Sequence, residues 1–280
     1  MSTHPLAPLD TRPLFRPLLA ELLALLRGLD AAAWERPTVA SAWRVRDVAA
    51  HLLDGDLRKL AAYRDDHAPP PDAPIASDRD LARHVNALNA SGVAWARRLS
   101  PRLVVDLLAV TGGWAATLLE SLDPDAPARW PVSWAGETTS ANWMDTGREY
   151  TERWHHQMQI RDAVGAPLLL ASRWLLPLLD LSVHALPAAY APLDATPGTA
   201  VTLEVSGETS GAWTVVREEA RWAVRGGRPA RPDAVVRASA DDAWRLFYNA
   251  LPPDELARRL RVEGRGELAR PLLGARSIVR

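Results

Sequence analysis

The stretch EYTERWHHQMQIRDAVG, Glu149 to Gly165, sets two adjacent histidines behind a glutamate. On a helix, residues four apart leave the same face with Cβ atoms about 5–6 Å apart. Glu152 and His156 therefore present a carboxylate oxygen and an imidazole nitrogen to one point. A divalent cation accepts such a pair, and zinc bonds to these donors run about 2.0–2.2 Å. His155 is a poorer donor, because one residue of α-helix turns its side chain about 100° away. Two ligands do not make a site, and the third must come from another helix. His51 is the best offer. His4 and His67 stand in flexible-looking segments, while His84 and His184 lie in helical stretches without an acidic partner at metal spacing. One histidine from one helix and Glu-x-x-x-His from another give three protein ligands with coordination positions left open, which marks a catalytic metal rather than a structural one. The same residues admit a plainer reading. Tyr150, Trp154 and Met158 form the apolar stripe of their helix, nearly opposite Glu152 and His156, and His51 shares its side with Asp47, Asp54 and Arg58. Solvated glutamates and histidines are common on polar faces, and periodicity alone does not choose.

Helices have to carry these side chains. Leucines at helical spacing predict helix one over about 12–28, ending at a Gly-containing turn. A loop with Pro37 follows, and helix two begins near Trp43 with Val45, Val48, Ala49, Leu52 and Leu60 on one side. HAPPPDAPIASD reads as a Pro-rich linker. A long helical region runs from Asp80 to about Leu122, broken near Ser100-Pro101 because proline disfavours helix in the residue before it. After an aromatic-containing loop, the Glu152–His156 helix spans about Trp143 to Val164 and is stopped by Gly165. Another apolar helical segment, interrupted by prolines, follows it. Near residue 196 the pattern changes. AVTLEVSG, GAWTVVREE, ARWAVRGG and DAVVRAS read as antiparallel strands, followed by helices at DDAWRLFYNAL and GELARPLLGA. The expected organisation is an α-helical bundle over 1–195 and a small α+β domain over 196–280, without internal repeats.

Composition bounds the function. With 48% hydrophobic and 24% charged residues, the 280-residue chain has a globular profile. A net charge of −1 gives no general electrostatic case for nucleic acid or an anionic membrane. Lys59 is the only lysine, and the arginine bias is given no functional weight. The lack of cysteine removes disulfides, thiolate zinc sites and a cysteine nucleophile, so any thiol chemistry needs an external thiol. The N-terminus lacks a signal-peptide pattern, and no apolar run approaches a membrane span, so a cytoplasmic protein is expected. Oligomeric state is not legible.

WERPTVASAWRVRDVAAHLLDGD resembles the N-terminal signature of the mycothiol-dependent maleylpyruvate isomerases, a branch of the DinB-like metalloenzyme superfamily. The matching positions are Trp34, Pro37-Thr38, Trp43, Val45, Asp47-Val48 and His51-Leu52. A second block, ERWHHQMQIRDAVG, is similar to the family's later helix through Glu152, His156 and Gly165. The blocks cover some forty residues. The resemblance implies metal ligands at His51, Glu152 and His156, on a DinB-like four-helix bundle followed by a smaller sterol-carrier-like α+β domain, and LRVEGRGELARPLLG looks like the end of such a domain. Two features depart from the family. Gln159 stands where the later helix often has Asp, and WRLFYNAL runs into Asn249-Ala250 instead of the Gly-Arg pair that supplies an arginine to the isomerases. Arg265 or Arg245 would have to substitute, and neither matches that motif in place. The superfamily scaffold is thus the firmer implication, with maleylpyruvate as substrate left open.

The resemblance also implies chemistry. A low-molecular-weight thiol of the mycothiol or bacillithiol type is activated at the metal. Its addition to a cis double bond leaves a rotatable single bond, and elimination gives the trans isomer; attack without elimination is S-transfer. Zinc suits the mixed nitrogen and oxygen donors, as do nickel, iron and manganese. Asp47, one turn before His51, either caps its helix or orients His51 as an outer acceptor. The twelve tryptophans either line a pocket or pack the two domains. Two other classes stay open: a metal-dependent hydrolase without thiol, and a binding protein carrying an apolar ligand in its C-terminal domain.

Overall fold

The computed structural model describes residues 2–40 and 42–278. By internal contacts it divides into two compact units. One holds Asp10–Trp130 and Ala141–Leu168; the other holds the residues up to Leu9, Pro131–Ser140 and Leu169–Ile278.

The first unit is helical: α1 (Phe15–Arg27), α2 (Ala31–Trp34), α3 (Val45–Lys59), α4 (Asp78–Ala96), α5 (Pro101–Ser121) and α6 (Asn142–Val164). α1, α3, α5 and α6 form a four-helix bundle in which α1 and α3 each pack on both α5 and α6, and α4 lies against α3. Local chemistry sets the helix ends. Ser77 and Ser100 each accept a backbone N–H at 3.2 Å, from Asp80 and Leu103, to cap α4 and α5. Pro101 sits in the first turn of α5, where no N–H is required of it. α6 stops at Gly165, whose φ of 70° is left-handed and suits a residue without Cβ. Val45, Val48, Ala49 and Leu53 of α3 meet Leu22 and Leu26 of α1, Val104 and Leu108 of α5 and Ile160 of α6 in one apolar cluster. Each larger side chain buried there contributes about 1.5–3 kcal/mol.

Two expectations change in this unit. The loop before helix two contains the short α2, capped by Asp30 through the Ala33 N–H at 2.7 Å. α5 is, by length and composition, long and apolar enough to cross a membrane, contrary to the expectation that no run is. It is a bundle helix, with Val104, Val105, Leu108, Ala115, Ala116 and Leu119 buried.

The second unit contains α7 (Ser172–Ser182), α8 (Leu186–Tyr190), β1 (Ala200–Ser206), β2 (Gly211–Arg217), β3 (Trp222–Gly226), β4 (Ala234–Ser239), α9 (Ala240–Phe247), α10 (Pro253–Arg259), β5 (Arg261–Gly264) and α11 (Gly266–Gly274). Its sheet runs β3-β2-β1-β4-β5. β1, β2 and β3 form an antiparallel meander, but β4 pairs with β1 in parallel, so the sheet is mixed rather than antiparallel throughout. β5 and α10 were not expected; every residue of β5 is exposed, so it carries no apolar alternation to read. The helices from Ser172 to Tyr190 belong by contacts to the sheet unit, with α8 against β3 and α7 against α9. The change of pattern at residue 196 marks the first strand, not the division between units. His4 is not in a loose segment either. Its backbone makes a two-way bridge with Gly226 at 2.9 Å each way, and its ring lies where a Cβ on Gly226 would be, 2.3 Å away.

Candidate metal centre

α3 packs against α6, and this contact brings His51 to Glu152 and His156, which lie about a hundred residues further along the sequence. His51, Glu152 and His156 each offer one ligand atom, and these atoms lie within 4.8 Å of one another. The His51 and His156 rings meet edge to face at 4.5 Å. His156 Nε2 stands 3.5 Å from Glu152 Oε2. The trio expected from spacing and from resemblance thus converges. His4, His67, His84 and His184 are not in the cluster.

The plainer reading required solvated polar faces. His51 and His156 are only 8% and 7% exposed. α6 is buried nearly all round: Tyr150, Trp154 and Met158 fill one side as expected, while Asp145, Thr151, His155, Gln157, Gln159 and Arg161 are also buried. Glu152 is the most open of the three, with its side chain 34% exposed.

Hydrogen bonds set the protonation pattern. His156 Nδ1–H donates to Gln159 Oε1 at 2.9 Å, which directs Nε2 at Glu152. Burial pushes the Glu152 carboxyl up, but His156, His155 and His51 outweigh it and hold the group well below the usual carboxylate range. His156 Nε2 and Glu152 Oε2, 3.5 Å apart, both face the point that His51 also reaches. Burial lowers the His51 pKa well below its ordinary value, and His156 and Arg58 lower it further against the opposing field of Glu152. A neutral imidazole is the form that binds metal. His51 Nδ1 is also buried without a hydrogen-bond partner among the described residues. Two imidazoles, one of them with an orphaned buried nitrogen, and one carboxylate are a donor set that fits a divalent cation.

His155 is turned out of the cluster, as the helical register requires. Its Nδ1–H donates to Thr151 O at 2.9 Å, and burial together with His156 brings its pKa down to about 3. Trp43 closes the site from another side, with its ring 4.9 Å from that of His51 and 6.1 Å from that of His156.

Asp47 is a capping residue, not an outer acceptor for His51. Oδ2 takes the Arg44 N–H at 3.1 Å and Oδ1 takes Arg97 Nε at 2.9 Å. Burial raises its pKa, yet these donors hold it below the ordinary value. The acceptor behind His156 is Gln159, at a position where the sequence departs from the family pattern. Its signal was present in the sequence, because a residue three after His156 shares its helical face. Arg245 and Arg265 lie in the sheet unit. Arg245 is buried, bonded to Asp241 at 3.0 Å and stacked over Trp244; Arg265 is exposed and bonded to Glu267 at 2.9 Å.

The family model described as mycothiol maleylpyruvate isomerase N-terminal domain matches residues 15–161, a span holding all three cluster residues. Among solved structures, the chain is similar to a mycothiol-dependent maleylpyruvate isomerase at 14% identity, over 84% of this chain and 86% of that one, with a TM-score of 0.51. That likeness is one of fold. It is also similar to sterol carrier protein 2 like 2 from Aedes aegypti at 18% identity, over 36% of this chain and 96% of that one, with a TM-score of 0.30. No curated protein matches the sequence. Because the family model spans more than half of its length, the chain belongs to the mycothiol maleylpyruvate isomerase N-terminal domain family.

Proposed function

We propose that this protein is a divalent-metal-dependent enzyme that uses a low-molecular-weight thiol to isomerise a small electrophile, or to become attached to it, with His51, Glu152 and His156 as the metal ligands. The observation that carries the reading is the approach of three donors from two helices to within 4.8 Å. Family membership supports the thiol, and the chain has no cysteine to supply one.

A divalent cation held by these three residues would supply Lewis-acid chemistry, lowering the pKa of a thiol or water that reaches it. The protein's own groups prepare the place. Gln159 fixes the ring of His156 so that Nε2 faces inward. Thr151 takes the His155 Nδ1–H. Trp43 and the buried sides of α3 and α6 keep bulk water from the two imidazoles, while Glu152 is the most open of the three. In the isomerisation, sulfur bonds to one alkene carbon and a proton to the other. Rotation about the new single bond and loss of the same thiol and proton restore the double bond in trans form. In transfer, the sulfur–carbon bond remains.

The test is elemental analysis of protein purified without a polyhistidine tag, followed by thermal shift with mycothiol and bacillithiol. About one divalent ion per chain is expected, lost in His51→Ala. A thiol that binds the native state raises Tm with concentration. Less than about 0.2 ion per chain, unchanged in His51→Ala, would overturn the metal site. Metal without any thiol-dependent rise would favour a hydrolase in which water takes the thiol's place.

A further inference from the structure

Beside the metal ligands, α3 carries a cation that the reading above leaves without a task. Arg58 is seven residues after His51, about 20° from it around the helix axis, and Gly55 lies on the same stripe at about 40°. The side chain of Arg58 folds back along α3: Nε donates to Asp54 Oδ2 at 2.7 Å. Asp54 is only three residues past His51, about 4.5 Å of helical rise, so the guanidinium sits much closer to the metal ligands than the Arg58 backbone does. Nη2 donates to Asn89 Oδ1 of α4 at 2.8 Å. Asp54 itself is seated by Gly92 of α4, where a Cβ would stand 2.2 Å from Asp54 Cγ. Nη1 makes no hydrogen bond to any described residue, and the side chain is 37% exposed. Gly55 lies between His51 and Arg58 on this stripe, and a Cβ there would meet nothing within 4 Å, so no side chain covers that part of α3.

A guanidinium pinned at Nε by Asp54 and at Nη2 by Asn89 ties α3 to α4 and still leaves its Nη1 edge open to a carboxylate. We infer that Arg58 is the anion-recognising residue of this site, pairing with a carboxylate borne by the ligand that enters over Gly55. The inference rests on the metal-centre reading above. It names the chemical class of the ligand, an anion whose charge lies one helical turn from the metal. It also gives a reason for a glycine in the middle of α3, where alanine would be about 1 kcal/mol better for the helix.

The test uses the full chain loaded with cobalt, whose absorption reports ligands at the metal. Two thiols are compared, 3-mercaptopropionate and 2-mercaptoethanol, and propionate is titrated in the presence of saturating 2-mercaptoethanol. Tighter binding of the anionic thiol by about tenfold, abolished in Arg58→Gln with cobalt uptake unchanged, assigns the carboxylate to the thiol. Arg58-dependent binding of propionate on top of 2-mercaptoethanol assigns it to the electrophile. Gly55→Phe should block both thiols and still take up cobalt. Asn89→Leu, which keeps the charge but frees the fork, should reduce the preference without abolishing it, and serves if Arg58→Gln does not fold. Cobalt uptake with neither preference in the wild type, or a preference unchanged in Arg58→Gln, overturns the inference alone. Failure of the wild type to take up cobalt overturns the metal-centre reading, and the inference with it.

Discussion

Removing the amide of Gln159 tests the reasoning about the metal centre most directly, because Gln159 is not a ligand and acts only through His156. Gln159 and His156 are 6% and 7% exposed, and the bond between them is 2.9 Å. In Gln159→Leu, with a side chain of similar size, the Nδ1–H loses its acceptor inside the bundle. A buried unsatisfied donor costs about 1–3 kcal/mol. The ring can relieve this by moving its proton to Nε2, but that removes the lone pair from the side facing Glu152 and His51. Metal binding then has to reverse the tautomer, and loss of such an outer partner typically weakens affinity about 10–100-fold. The assay has two parts. Long-range ¹H–¹⁵N spectra of the metal-free protein should find His156 protonated on Nδ1 in the wild type and redistributed in Gln159→Leu. Competition against a chromophoric chelator gives the zinc Kd. Gln159→Glu keeps the acceptor and makes the bond charge-assisted, so it should bind zinc at least as tightly as the wild type. Zinc affinity in Gln159→Leu within about threefold of the wild type, with the tautomer unchanged, would show that this hydrogen bond does not position the ring.

Three more outcomes are expected. Glu152→Ala and His156→Ala should each lower bound metal below about one-fifth of the wild-type content, whereas His155→Ala should retain it, because His155 is bonded to Thr151 and outside the cluster; emptying by His155→Ala alone would refute the helical register. Asp47→Ala should cost about 1–2 kcal/mol in urea unfolding through lost capping and the lost Arg97 pair, with zinc Kd unchanged; a metal defect would return Asp47 to the site. Asp145 is wholly buried, and although burial raises its carboxyl pKa, Arg148, Lys59 and Tyr63 hold it well below its ordinary 3.8. A depressed folded-state pKa contributes stability that is complete above the unfolded value and is lost as pH falls through the folded one. Asp145→Asn should therefore cost about 3 kcal/mol or more at pH 7, with the gap to the wild type narrowing below about pH 4; a gap independent of pH would remove Asp145 from the acid response.

Local chemistry could be read along the chain. Leucine spacing, Ser100-Pro101 and Gly165 place α1, α5 and α6, because caps and periodicity act over a few residues. The Glu152–His156 pair is local in the same sense, four residues on one helix, and so is the separation of His155 from it. What lies between distant segments is decided by packing. Spacing could nominate His51, but only the contact of α3 with α6 brings it to Glu152 and His156 and removes both histidines from water. Strand alternation marks β1 to β4 without saying which neighbours which, so the parallel pairing of β1 with β4 follows only from the crossover. β5 is exposed throughout and left no pattern. Asp47 stands one turn from His51 in sequence, yet Arg97, fifty residues away, takes it. The sequence places Arg58 on the side of α3 that carries His51, but only Asp54 and Asn89 fix its guanidinium. The sequence determined which side chains each helix presents and in what order around its axis. The tertiary structure decided which of them meet, since that depends on how the helices and strands bury their apolar faces together rather than on any single segment.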